Sequence, residues 1–343
     1  MKRFACILIA ICFITLSISA STFTDAGFHF TITPLYSYEF GTLNEFVFSY
    51  DDDQEYKLSE LNWSVDNHSL GLSANLGWKW ISIDTAFSFS FPGKSDYMYD
   101  SDWQDPSDRS IKTNYSINEN LLNKSCTFEI GLSGDIPFTP KKILPVFSAS
   151  FVQSIKYAYK YYYFSGKNGR GWYGTKRDTG LSYVVPYDSD KAAYYKPGQL
   201  FGIDYKREYN EVILGEGLKF HFINRFNVLL NCDFSLYSFI QSLDTHFGDK
   251  YNKTGTYFLD TMKDNLCSGK FYSEIDYRFW SNMHIGANYS YSWQDLIHGT
   301  THIKESKNSS YYLSSDSTSG SSANLHKFGF FIRFSLEDSH PIY

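Results

Sequence analysis

In the stretch "MHIGANYSYSW", Ile285, Ala287, Tyr289, Tyr291 and Trp293 alternate strictly with His284, Gly286, Asn288, Ser290 and Ser292. A period of two sends the two sets to opposite faces of a β-strand. "WISIDTAFSFSF" repeats the pattern, with Ile81, Ile83, Phe87, Phe89 and Phe91 on one face and Ser82, Asp84, Ala86, Ser88 and Ser90 on the other. A soluble sandwich has no use for a Ser-Asp-Ala-Ser-Ser face turned inward. A barrel with a polar interior and a lipid-facing exterior requires one. The fold class predicted is therefore all-β, a transmembrane antiparallel β-barrel.

About ten such segments follow one another, over roughly 26–49, 58–78, 80–103, 111–137, 142–164, 199–223, 226–247, 256–279, 281–304 and 322–336, an even number as single-chain bacterial barrels require. Short connections near "GWKW", "DIPFTPKK", "INRF" and "FWSNM" alternate with long polar ones near 50–57, 104–112, 164–198, 247–256 and 305–321. Short turns on one side and long loops on the other place the termini on the periplasmic side and the long loops outside, with the strands projecting above the outer leaflet. The Ser-rich "SSYYLSSDSTSGSS" reads as a flexible outer loop. Aromatic residues make up 19% of the chain, more than a soluble core absorbs, and interfacial belts account for the surplus.

The N-terminus "MKRFACILIAICFITLSISAST" has Lys2 and Arg3, then an apolar run of roughly 13 residues and small residues suited to signal peptidase. It reads as a signal peptide over 1–20, leaving 21–343 as a single barrel domain. Removing it leaves Cys126, Cys232 and Cys267, an odd number that makes no disulfide framework. The formal net charge of −6 argues against nucleic acid as a partner.

Two clusters carry candidate chemistry. "YDSDWQD" puts Asp100 and Asp102, spaced by two, at the outer end of the third strand. Even-numbered residues from Ser82 to Ser90 face the lumen, so an unbroken register keeps both aspartates inside, although "PGKS" between them can shift it. Two carboxylates held close repel, which raises one pKa and lets the pair share a proton. "SLDTHF" places Asp244 and His246 at the outer end of the seventh strand, where an aspartate can orient a general-base histidine. Asn231, Asp233 and Ser235 of that strand read as lumenal with the opposite parity, so a β-bulge is required before Asp244 unless that pair stands above the membrane. Asp105 reads as a loop acid.

"SELNWSV" in the second strand, "MYDSDWQD" closing the third and "SLDTH" closing the seventh, on an exported barrel of about ten strands, resemble the omptins, outer-membrane proteases of Gram-negative bacteria. The resemblance runs over most of the mature chain, in strand order and motif order. It implies an aspartic endopeptidase with no covalent intermediate, in which the two pairs face one another across the barrel mouth and hold a water. His246 is then the general base, Asp244 its orienting partner, and Asp100 and Asp102 position and polarise the water. The resemblance also implies a preference for basic residues at the cut. Glu45 in "LNEFVFS" falls where an acid of that pocket sits, and Ser242 replaces a second, so a weakened or altered basic preference is expected. No cofactor is implied beyond lipopolysaccharide as activator and partner, held on the barrel's outside by Lys156, Lys206 and Arg207. The last strand "KFGFFIRFSL" departs from family habit, being followed by "EDSHPIY" rather than ending the chain on phenylalanine.

The expected protein is a monomer in the outer membrane, acting on peptides or proteins with its site facing outward. Two alternatives stay open: a non-catalytic barrel acting as adhesin or narrow channel, and a divalent-metal site built from Asp100, Asp102, Asp244 and His246. His298 and His302 share a strand face without a convergent carboxylate motif, and no Gly-x-Ser-x-Gly elbow is present.

Overall fold

The computed structural model describes residues 27–51, 54–137, 147–222, 225–249 and 254–336. The signal peptide over 1–20, most of the "DIPFTPKK" turn, part of the "INRF" turn and the terminal "EDSHPIY" lie outside the described residues. One 13-stranded sheet contains β1 (Phe28–Asp51), β2 (Gln54–Trp78), β3 (Ile81–Ser90), β4 (Gly93–Asp102), β5 (Asn114–Pro137), β6 (Phe147–Tyr173), β7 (Ala193–Tyr195), β8 (Ile203–Phe222), β9 (Phe226–Phe247), β10 (Gly255–Asp264), β11 (Ser268–Trp280), β12 (Met283–Lys304) and β13 (Tyr312–Leu336). A four-residue helix α1 (Lys176–Thr179) lies between β6 and β7.

These strands make ten staves. β3 and β4 are one stave interrupted at 91–92, β10 and β11 are another interrupted at 265–267, and β7 belongs to a loop. Every neighbouring pair is antiparallel, and β1 pairs with both β2 and β13, so the wall closes without a free edge. At Gly41 (φ 144°) a Cβ would lie 2.1 Å from the Asn324 carbonyl oxygen, so only glycine lets β1 press so closely against β13 at this level. Among the described residues no helix is long and apolar enough to cross a membrane; the spanning elements are strands.

Two connections differ from the sequence reading. The Ser-rich stretch is β-ladder rather than loop: β13 begins at Tyr312, and Ser317 to Ser322 pair with Ser49 to Asn44 of β1. Buried Ser319 and Ser321 are small enough to fit inside the narrow wall. The first hairpin is likewise tight, with Asp51 opposite Gln54 where a longer outer loop was expected.

Outward residues on the short-turn half are large and apolar, among them Phe87 and Ile83 at 49%, Ile130 at 43% and Phe330 at 64% exposure, a band suited to lipid tails. The interior is filled in tiers. Nearest the short turns Arg333 bridges Glu274 and Asp276. Above them Asp233 takes both Lys156 and Lys270 at 3.1 Å, and Lys160 pairs with Glu211 at 2.8 Å. Higher still, Trp63 stacks on Tyr205 at 5.1 Å and on Phe164 at 5.7 Å, with Tyr162, Leu43, Met98 and Ile240 packed around them. These side chains are buried together and form the floor of the mouth.

Cys126 and Cys232 are half-buried and Cys267 is buried; all three are free thiols.

Candidate active site

β4 brings both aspartates of "YDSDWQD" to the mouth with their side chains inward. The even-in parity of β3 does not run through unbroken. The stave breaks after Ser90, Ser95 turns inward, and Asp96 at φ 56° with a register slip between Lys94 and Tyr97 restores the even face at Met98. Asp100 then sits opposite Ser116 and Asp102 opposite Asn114. Asn114 Nδ2 donates to Asp102 Oδ2 at 2.9 Å. Asp105 lies outside this pair, its Oδ1 accepting the Ser107 amide at 2.9 Å and hydroxyl at 2.6 Å as a turn-forming loop acid.

β9 carries the bulge that its parity requires. Ser235 opposes Ile213 and Tyr237 opposes Val212, leaving Leu236 extra, and both Leu236 and Tyr237 point outward at 39% and 41% exposure. Below the bulge odd residues face in; above it Ser238, Ile240, Ser242 and Asp244 do. The bulge falls where β9 changes partner from β11 to β10, and Leu266 in the gap between those strands donates its amide to the Ser235 carbonyl at 2.9 Å.

His246 Nε2 and Asp244 Oδ2 are 2.5 Å apart. Asp244 is 3% exposed, and its Oδ1 accepts no hydrogen bond among the described residues. Asp244 lies seven and His246 nine residues beyond the outward Tyr237, about 30 Å along extended chain for the histidine, toward the long-loop end of the strand. Asp100 and His246 line the same cavity, from staves on opposite sides of the ring.

The electrostatics follow from that confinement. Burial, then the Asp102 charge, push the Asp100 carboxyl well above the usual carboxylate range, and burial also raises Asp102 against the donors Asn114 and Ser59. Confinement disfavours a charged His246, but Asp244 beside it and Asp100 and Asp102 across the cavity outweigh it and raise the imidazole to about 9. The two walls are thus coupled: the acids favour a proton on the imidazole, and the crowding of the acids favours a proton shared between them.

A second acidic group lies on the β1 and β10 side. Glu45 points inward and is 2% exposed, as is Asp260, directly opposite Ser242 in the β9–β10 ladder. Ser242 Oγ donates to Asp260 Oδ2 at 3.4 Å. Glu45 Oε2 and Asp260 Oδ1 have no partner among the described residues. Burial, then Asp244 and Asp260, raise Glu45 well above its ordinary value, and burial raises Asp260 to about 6. Asp260 escapes a local reading of the sequence, because only strand register reveals that it restores a carboxylate beside Ser242.

Two of the three basic residues expected on the outer surface face inward instead. Ile155 and Tyr157 point outward, so alternation turns Lys156 into the lumen, where it pairs with Asp233. Arg207 shares the inward face with Tyr205 and Tyr209 and is fully buried. Its Nε donates to Tyr205 Oη at 2.6 Å and its Nη2 to the Asn44 carbonyl at 2.6 Å, beneath Glu45. Lys206 faces outward, its Nζ 5.0 Å from the Tyr163 ring centroid. His298 contacts Glu55 at 3.3 Å, and no cluster of three or more His, Cys, Asp or Glu among the described residues has metal-holding geometry.

Comparison with solved structures aligns the chain with the outer membrane protease OmpT from Escherichia coli at a TM-score of 0.72 and 16% identity, covering 90% of this chain and 96% of that one. The likeness is one of fold. The translocator domain of autotransporter NalP from Neisseria meningitidis aligns at a TM-score of 0.34 and 7% identity over 97% of both chains, too low to carry an argument. No curated protein sequence matches the chain. The Omptin family model matches residues 37–334, nearly all of the barrel: the chain belongs to the Omptin family.

Proposed function

We propose that the protein is an outer-membrane endopeptidase that hydrolyses peptide bonds at its outward-facing mouth with water activated between Asp244–His246 and Asp100–Asp102. The observation that carries this reading is the shared cavity of Asp100 and His246, with the buried Asp244 behind the imidazole and Asp102 beside Asp100 on the other wall. Family membership and the fold support an outer-membrane protease.

His246, once deprotonated, takes a proton from the water as its oxygen attacks the scissile carbonyl carbon. Asp244 holds the imidazole in orientation and stabilises the imidazolium that results. Across the cavity Asp102, oriented by Asn114, accepts a hydrogen bond from the water's other hydrogen, and Asp100, whose raised pKa favours its acid form, donates a proton to the departing amine when it carries one. Positioned acid and base groups of this kind contribute about 10²–10⁴-fold each.

Glu45 and Asp260 form the pocket for the side chain preceding the cut. Two buried carboxylates with free oxygens favour a lysine or arginine, while Arg207 beneath them and the proton they retain weaken that preference. Lipopolysaccharide remains the proposed activator, with Lys206 its contact on the outer wall as a point charge for phosphate, and the working unit is a monomer. The test is cleavage of a mixed peptide library by the purified barrel with and without lipopolysaccharide, beside His246→Ala. Cuts that vanish in the variant support the reading, and a folded wild type that makes no cuts overturns it.

A further inference from the structure

The catalytic staves divide the mouth unequally. β4 and β9 separate an arc of β10, β12, β13, β1 and β2, which holds Glu45 and Asp260, from an arc of β5, β6 and β8. On that second arc a cavity of about 340 Å³ opens beside Asp100 and His246, within the size range of small-molecule sites. Its outer wall is the long segment 174–202 between β6 and β8.

That segment is built into the barrel. β7 adds to the edge of β6, with Tyr195 opposite Gly171 and Ala193 opposite Tyr173. The Gly198 amide donates to the Gly169 carbonyl at 3.1 Å, the Tyr187 amide to Lys112 at 3.1 Å, and the Phe247 amide to Gly202 at 3.0 Å. The last of these ties the wall to the residue after His246. Tyr173 and Tyr195 meet edge to face at 5.2 Å, and Leu200 and Phe201 complete the lining, Phe201 at 49% exposure.

Asp178 on this wall is already paired: its Oδ1 accepts from Tyr195 Oη at 3.0 Å and Thr175 Oγ1 donates to its other oxygen, while Arg177 Nε lies 3.7 Å away with its side chain 88% exposed. Beside these groups and the polar Asn118 and Gln199, the cavity offers the rings of Tyr173, Tyr195, Phe201 and Phe247 and the aliphatic Leu200, a stacking surface for a ring. We infer that the 174–202 wall forms a specificity subsite for a large aromatic side chain, on the residue across the scissile bond from the one that enters the Glu45–Asp260 pocket. This deepens the proteolytic reading and rests on it.

The test uses the full-length barrel with lipopolysaccharide and a peptide series of constant sequence, with Arg before the cut and Phe, Ala, Asp or Lys after it. Phe should be cleaved about tenfold faster in kcat/KM than Ala, the scale of partly burying one ring. The double variant Leu200→Ser with Phe201→Ser lies outside the strands. It should abolish that ratio while the Ala peptide changes by less than about twofold. Equal rates for Phe and Ala, a preference for Asp, or a Phe preference that survives the double variant would overturn the subsite. Ligand-observed NMR with N-acetyl-phenylalanine amide separates the two levels. Binding to wild type but not to the double variant, with no peptide cleaved, retains the subsite and rejects the protease. Cleavage after Arg without loop-dependent binding rejects the subsite and retains the protease.

Discussion

Among the described residues the barrel holds two aspartate–histidine pairs, one at each end, and their surroundings differ in kind. At the short-turn end His284 Nδ1 meets Asp276 Oδ1 at 2.7 Å. The same carboxylate also accepts Asn227 Nδ2 at 2.6 Å and Arg333 Nη1 at 2.9 Å. At the mouth Asp244, among the described residues, hydrogen-bonds His246 alone, keeps one oxygen without a partner, and confronts a second pair of acids rather than an arginine. A saturated carboxylate holds strands together, whereas an unsaturated one beside a half-exposed imidazole keeps capacity for an incoming proton or substrate. Pairing alone does not mark chemistry; the count of unfilled partners does.

The largest expected contrast comes from removing each histidine. His246→Ala and Asp102→Ala should each lower peptide hydrolysis by about 10⁴-fold or more with the barrel intact, as read by single-turnover assays and heat-modified mobility in detergent. His284→Ala should leave kcat within about threefold. A reversal of those two results would end the distinction drawn here.

Next is stability. Asp276→Asn leaves Arg333 with Glu274 as its acidic partner and removes the carboxylate shared with His284, and should cost about 1.5–3 kcal/mol, the scale of hydrogen bonds to a charged group. Asp244→Asn should cost much less while changing the pH profile. In wild type kcat/KM should climb with pH until His246 has lost its proton near 9. Without the Asp244 charge that limb should move toward the ordinary histidine value of about 6.5, and an unmoved limb would assign the titration elsewhere.

A smaller effect belongs to the specificity pocket. Binding of a cationic side chain should expel the proton held near pH 6 by Asp260 and its neighbour, so the preference for Lys or Arg over a neutral residue should grow as pH rises through about 6. Asp260→Asn should reduce that preference about tenfold and flatten its pH dependence, measured on matched peptides. The smallest is thermal. Because the folded pKa of His246 is raised, its stabilising contribution is fully present below about pH 6.5 and is lost as pH rises through about 9. Melting should be shifted less at alkaline pH in His246→Ala than at neutral pH.

Much of this was legible in the chain. Period-two alternation located all ten staves, and a parity mismatch between Asp233 and Asp244 left a bulge or a pair above the membrane as its two explanations; a bulge is found at Leu236 and Tyr237. The four mouth residues were visible because each pair lies within three positions of one strand. Asp260 was not, since its place depends on which residue of β9 lies opposite. Alternation between Ile155 and Tyr157 already turned Lys156 inward, and a stricter reading of it would have kept that lysine off the surface. The Ser-rich run lacked any apolar face to betray its pairing, and only the ladders of β1 and β12 reveal it as strand.

The stacked rings of Trp63, Tyr205 and Phe164 beneath the mouth have a consequence for the reaction's protons. They set an apolar layer between the candidate site and the short-turn end of the barrel. On the proposed reading, with the mouth facing outward, the protons of hydrolysis are exchanged with the external medium, and the pH that governs turnover is the one outside the cell.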